Sequence, residues 1–353
     1  VNEKHKIYIN YLIFSQSLKR GEKMYNINEE LKEKISDLNK ILLTKYQDVL
    51  SMDKVFFRKF IEENVGPIKK LKKLTTEELT SYAEKGGILG VDGSNNRMGG
   101  AYPHFIEIYQ GLAKSTLHKD KPVYKTDFYT PLYPEREESK LEDTVEGEES
   151  IRKSKLSTIE VEAALEGIRV FNPYAVIMDG SLIRYDIECF DKWIELRKEC
   201  EEKGIILIGV IKDIKTSIIG DLLIKDNSLE IEECFHDREL LYGLLEDGEM
   251  VPIYDEVTKK SKEGFTSLFM RSSDAPTVIG MDILDKQRDY LEEMARLVLT
   301  LTPKDSRGVP LWIDIVDSEV KIPDKMIRGL LESYLDRKIL EMFFISERDK
   351  RTL

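Results

Sequence analysis

Cysteine is nearly absent: Cys189, Cys200 and Cys234 are the only three in 353 residues, with no CxxC spacing. An odd, scattered set gives no disulfide framework, and buried free thiols are the expectation. Histidine is almost as rare, and His5, His104, His118 and His236 form neither an HxxxH pair nor a Cys/His cluster, so the usual zinc ligand sets are missing. No apolar run approaches the ~20 residues of a membrane span, and the early "IYINYLIFSQSL" lacks the small-residue cleavage pattern of a secretory signal. A cytoplasmic protein without membrane association is expected. Basic residues are also outnumbered, 54 Lys and Arg against 66 Asp and Glu, a formal net charge of -12. That balance excludes a surface that grips nucleic acid everywhere, because phosphate binding is driven by Lys and Arg replacing counterions. A basic groove around an acidic site stays compatible with it. No phosphate-cradling P-loop occurs anywhere.

What is present is ordinary globular composition, 41% hydrophobic and 34% charged, with enough chain for one large domain plus attachments or for two domains. The first residue is Val, as an unprocessed GTG codon gives, and "KRGEKM" at 19–24 can be encoded by a ribosome-binding-site-like sequence. Met24 is therefore expected as the true start, with residues 1–23 a mis-annotated start; a short genuine extension is the rival. Residues 1–85 read as a helical N-terminal region. Leu31, Ile35, Leu38, Ile41 and Leu42 recur at three- and four-residue spacing, Gly66-Pro67 breaks the run, and Thr75 or Thr76 caps a further helix behind the basic "IKKLKK".

At Gly86 the pattern changes. "GILGV", "YPHFIEIYQGLAKS" and "KPVYKTDFYTPLY" read as three strands with short connections suited to an antiparallel meander. A charge-dense stretch, 134–156, reads as a flexible loop. "STIEVEAALEGIRVF" is a helix with Ser157 as its cap, "YAVIM" a strand, "IECFDKWIELRKECEEKG" a helix ended by Gly204, and "IILIGVI" a strand. Strands separated by helices imply parallel crossovers, so the prediction for 86–345 is an α/β domain: a mixed sheet flanked by helices. "GFTSLFMRS" and "TVIGMDI" are β-like, and two more helices follow.

One tripeptide recurs. "GILGVDGSNNR" and "YAVIMDGSLIR" both run an apolar strand into Asp-Gly-Ser. Two turns are the plain explanation, since Gly accepts positive φ and Asp bonds its own backbone. The alternative is that Asp92 and Asp179, both at strand ends where α/β sheets gather function, share divalent cations, which prefer oxygen ligands. Gly93 and Gly180 would then admit a phosphate, and Ser94 and Ser181 offer hydroxyls. A third acid should come from the preceding helix. Its buried face is Val161, Ala164, Leu165 and Ile168, which places Glu160 nearer the edge than Glu162.

The strand order and acids resemble the ribonuclease-H-like superfamily. More closely, "ILGVDGSNNR", "IEVEAALEG", "AVIMDGSLIR" and "LIGVIKDIKTS" look like successive motifs of the NurA family of DNA-end-processing nucleases, with a weaker match at "RGVPLWIDIVDSEVKI". The resemblance implies a metal-dependent DNA nuclease, of 5′ to 3′ exonuclease and single-strand endonuclease type, with two Mn²⁺ or Mg²⁺ ions. Asp92 and Asp179 would be ligands and catalytic groups. Family spacing makes Glu162 the third acid where helix geometry favours Glu160, and both stay open. Lys212 would contact phosphate or orient the nucleophile. The late segment usually carries a His; this chain has none there, and Asp317 is the candidate replacement, with Asp314 second. Arg97 and Arg184 are candidate phosphate clamps, and Tyr102 and Tyr185 candidate stacking platforms with packing as the plainer role. The resemblance further implies DNA as substrate, a homodimer, and a hexameric HerA-type translocase partner in recombinational repair. Two other readings are an actin-like or sugar-kinase ATPase, suggested by "GVDGSNNR" but lacking a later Gly-rich adenosine segment, and a degenerate docking subunit.

Overall fold

A computed structural model describes residues 28–133, 145–225 and 235–344. The chain divides into two units, residues 1–53 and 54–353. In the first, α1 (Glu29–Lys45) is capped by Asn28, whose side chain accepts from the Glu30 N–H, and α2 (Gln47–Ser51) follows; no residue of α1 is buried.

The second unit begins earlier than the change of pattern at Gly86 suggested. Its elements are α3 (Lys54–Asn64), β1 (Lys69–Lys70) and α4 (Thr76–Glu84). Thr75 caps α4 in a reciprocal box with Glu78. The sequence reading made this region all helical, yet "IKKLKK" supplies an edge strand, and Leu71, Leu74 and Tyr82 belong to the main core. Then come β2 (Ile88–Gly99), β3 (Phe105–Ser115), β4 (Val123–Tyr129), α5 (Val145–Phe171), β5 (Ala175–Asp179), α6 (Leu182–Glu188), α7 (Phe190–Lys203) and β6 (Ile206–Ile211). The remainder is α8 (Ile218–Lys225), α9 (Asp237–Leu240), β7 (Glu249–Pro252), β8 (Phe265–Met270), β9 (Ile279–Leu284), α10 (Leu291–Leu301), α11 (Leu311–Val320) and α12 (Asp324–Tyr334).

Among the described residues the strands form one nine-stranded sheet, β1-β7-β8-β9-β6-β5-β2-β3-β4. The β2-β3-β4 meander is antiparallel, β5 and β6 join β2 in parallel, and β9 returns antiparallel beside β6. The expected α/β arrangement, a mixed sheet flanked by helices, is what forms. Strand alternation sorts its side chains onto two buried faces. Ile88, Ala175, Ile177, Ile206, Ile208 and Val210 share one core with α10 and Ile313 of α11. Leu89, Val91, Val176, Met178 and Leu207 share the other with α5, α6 and α7.

Three local expectations need correction. Helix α5 starts at Val145, so the charged segment is helical from there and Ser157 lies inside the helix instead of capping it; its hydroxyl donates to Glu188 at 2.5 Å. The extra turns are held because Ile151, Leu156 and Ile159 pack on Phe105, Tyr109 and Tyr129, a tertiary contact that local charge density does not report. Residues 134–144 lie outside the described residues, as do 1–23, Met24 and Cys234. Finally, the first Asp-Gly-Ser is no turn at all: β2 runs through it without interruption, Asp92 opposite Leu112 and Ser94 opposite Gln110. Cys189 and Cys200 are free and buried, as expected, and burial pushes both thiols up to about 12.

Candidate active site

Period-two alternation continues past the apolar cores and decides where the carboxylates point. The parallel ladder pairs Val91 with Met178, so the next residues, Asp92 and Asp179, lie side by side. Both have the parity of Ile88 and Ala175 and therefore face the layer of α10 and α11. Helix α11 is seated there by Ile313, Val316 and Val320, all buried. Gly90 makes room for it: a Cβ at that position would stand 2.8 Å from Trp312 and 3.1 Å from Val316. One turn beyond Ile313, Asp317 reaches the two strand aspartates. Among the described residues, one ligand oxygen from each of Asp92, Asp179 and Asp317 falls within 4.8 Å of the others.

Glu160 approaches from the opposite face. It is buried on α5 directly under Gly93, where a Cβ would come within 2.5 Å of its Oε1. Its carboxylate accepts from the Tyr185 hydroxyl at 2.6 Å and from the Arg184 guanidinium. Glu160 thus borders the three-aspartate cluster while being held by α6. Glu162 is turned elsewhere, 3.5 Å from Lys192 of α7.

Lys212, one residue past β6, ion-pairs with Asp179. Asp317 accepts from Lys321 at 2.8 Å, and Asp314 from Arg307 at 2.7 Å, so Asp314 is outside the cluster. Burial together with the charges of Asp179 and Glu160 pushes Asp92 up to about 9. Burial also raises Glu160, against the opposing pull of Arg184 and Tyr185. For Asp317 burial works in the same direction, but the Lys321 hydrogen bond and the Lys212 charge outweigh it and leave the group lowered. Three crowded carboxylates, one holding its proton, are an unfavourable arrangement that a multivalent cation relieves. The donor set is entirely oxygen, with neither thiolate nor imidazole, which suits hard divalent ions. The cluster suggests a divalent metal site.

The remaining candidates differ in placement. Arg97 lies five residues farther along β2, about 16 Å on, with its guanidinium 3.4 Å above the Phe105 ring. Ser94 is half-buried, and Ser181 is committed: its hydroxyl donates to Asp282 at 2.5 Å and accepts from Lys260 at 2.9 Å. Tyr185 is fully buried with its hydroxyl on Glu160, so its ring offers no stacking platform, and Tyr102 is exposed in the turn after β2. Arg184 does come to the site, as the partner of Glu160.

Lys260 and Asp282 escaped the sequence reading. Asp282, fully buried on β9, accepts from Lys260 and Ser267 and from the Leu182 N–H, and so anchors the second Asp-Gly-Ser to the sheet. A lone acid inside the apolar "TVIGMDI" was the available signal, because a charge in a buried strand needs a partner.

The model of one protein family, described as NurA domain, matches residues 86–322, and the chain belongs to that family. No curated protein matches. Solved structures similar to this one include endonuclease V of Bacillus subtilis, with TM-score 0.39 and 13% identity over 81% of this chain and 98% of that one. Human endonuclease V gives 0.38 and 13% over 78% and 98%. Drosophila Piwi gives 0.34 and 10% over 67% and 29%. Family membership supports a nuclease.

Proposed function

We propose that this NurA-family chain is a divalent-metal-dependent deoxyribonuclease that processes DNA ends. The observation that carries the reading is the convergence of Asp92, Asp179 and Asp317 oxygens within 4.8 Å, on strands and a helix whose register leaves them no other direction. These three residues would hold the cation, Mn²⁺ or Mg²⁺, with Glu160 beside them. Divalent ions in such a site lower the pKa of water and polarise a phosphoryl oxygen.

The chain's own groups have separable tasks. Lys212 fixes the Asp179 carboxylate and adds a positive charge where a phosphate would approach. Arg184 and Tyr185 hold Glu160 in place from behind. Asp317 closes the set with an oxygen where the family resemblance implies an imidazole, a difference that favours harder ions. The same proposal includes finer features that the family resemblance suggests: 5′ to 3′ exonuclease and single-strand endonuclease action, a homodimer, a cytoplasmic location, and a hexameric HerA-type translocase that delivers DNA in recombinational repair. An acidic protein fits delivery by a partner better than unaided capture.

Degradation of labelled DNA with and without Mn²⁺ tests the reading. Wild type should cut only with metal, and Asp179→Asn should lose at least about a hundredfold in rate while keeping its fold by circular dichroism. Glu160→Gln should lose rate too, and Glu162→Gln should stay within about twofold. ATP hydrolysis without DNA cleavage would favour the kinase-like alternative. Aspartate variants with unchanged behaviour in every assay would favour a docking subunit.

A further inference from the structure

Beside the carboxylates lies a cavity of about 520 Å³ that none of the roles above uses. Its lining includes Asp179 and Lys212 together with Ile183 and Arg184 of α6. Its walls are mainly apolar: Ile183, Ile214, Ile218, Ile253 and Phe269. Three polar groups of its lining are engaged with acids. The Thr216 hydroxyl donates to Asp237, Ser267 donates to Asp282, and Lys260 ion-pairs with Asp282 at 2.8 Å. Of the cations lining the cavity, Lys212, Lys260 and Arg184 each face an acid. Lys215 is exposed and has no ion pair among the described residues.

We infer that this cavity receives the unstacked base and sugar of the strand-terminal nucleotide next to the bond being cut, with Lys215 on the adjoining phosphate. The inference rests on the nuclease reading of the neighbouring carboxylates. Size permits it, since small-ligand sites span roughly 300–1,000 Å³. Chemistry favours it as well: a base is a flat, largely apolar body tied to an anionic backbone, and this cavity offers apolar walls with an uncommitted ammonium at its rim. Because the Thr216 and Ser267 hydroxyls are engaged, the walls have little with which to read a base edge. All four bases should therefore enter with similar affinity, and the preference should be for an unpaired end, where little stacking has to be broken.

The test uses the full chain in EDTA, so that no cleavage occurs, and short single strands carrying 2-aminopurine at the 5′ end, at the 3′ end or in the middle. Free 2-aminopurine deoxyriboside monophosphate is a separate arm. Fluorescence should change on binding for one terminal position and not for the central one. Ile218→Trp, a larger side chain at a half-buried position of the cavity wall, should weaken binding of that strand roughly tenfold. Lys215→Ala should reduce the salt dependence of binding by about one counterion while the base still enters. No response at either terminus, a response of the free nucleotide alone, or an Ile218→Trp protein that folds and binds like wild type would overturn the proposal. The two readings fail separately. End-base insertion without Mn²⁺-dependent cleavage keeps the pocket and removes the nuclease, and cleavage without insertion does the reverse.

Discussion

The two Asp-Gly-Ser copies are identical in sequence and different in structure. In residues 92–94 the tripeptide is continuous strand, paired across to Leu112, Gly111 and Gln110. In residues 179–181 it ends a strand, and Gly180 has φ +128°, a conformation that L side chains rarely adopt. Gly93 is required for a different reason, the absence of any space above Glu160. The serines diverge in the same way: the Ser181 hydroxyl is locked to Asp282, and the Ser94 hydroxyl has no hydrogen-bond partner among the described residues. Only the aspartates do the same thing. Parallel register between β2 and β5 is what makes them equivalent, whatever the backbone does afterwards.

Substitutions can sharpen that contrast. The largest effect should come from Gly93→Ala. Its new methyl group would overlap a buried glutamate pinned by Arg184 and Tyr185, which costs about 1–3 kcal/mol of stability by overpacking. Cleavage should fall by more than tenfold, because Glu160 is displaced; urea melts and DNA degradation read the two quantities. Gly180→Ala has room, its Cβ being 3.6 Å from Arg184, and should cost about 1–3 kcal/mol through backbone strain with a smaller loss of rate. If the two alanine variants lost cleavage rate equally, the structural distinction between the copies would be wrong.

Serine substitutions come next. Ser181→Ala removes a charge-assisted bond to a buried carboxylate and should cost about 1.5–3 kcal/mol. Ser94→Ala should remain within about 0.5 kcal/mol of wild type. Equal melting shifts for the pair would refute the anchoring role of Asp282.

The last contrast concerns pH. Folded Asp92 titrates at about 9, against about 3.9 when unfolded. The native state therefore holds the proton more tightly, and this group's contribution is full below about pH 4 and lost as pH rises through about 9. Asp92→Asn removes the loss. The metal-free variant should melt above wild type at about pH 9 and converge with it toward pH 4. A constant offset across that range would show that Asp92 does not carry the proton.

Much of this was readable in the chain because it depends on short-range rules. Alternation in "AVIMD" and "ILGVD" marks buried strands, and helical spacing in "IEVEAALEG" puts Val161, Ala164, Leu165 and Ile168 inside, where all four are found. Local patterns were weaker at boundaries. Charge density made residues 145–156 look like loop although Ile151 and Leu156 tie them to the sheet, and the edge strand at Lys69–Lys70 has no apolar signature because both its residues are exposed. The sites of Glu160 and Glu162 differ by about 200° around one helix. Sequence spacing gave grounds for either, and the packing of α5 on Gly93 puts only the first beside the aspartates.

Residue order alone determined which faces of each strand and helix are apolar, and hence that Asp92 and Asp179 would emerge at the limit of two buried strands. Tertiary structure decided the rest: that β2 and β5 are neighbours in parallel register, that α11 crosses over Gly90 to bring Asp317 from 138 residues beyond Asp179, and that Glu160 is pinned while Glu162 is not. The physical reason is range. Periodicity and turn chemistry act within a few residues, whereas the meeting of charges depends on register and on the size of the side chains that separate layers.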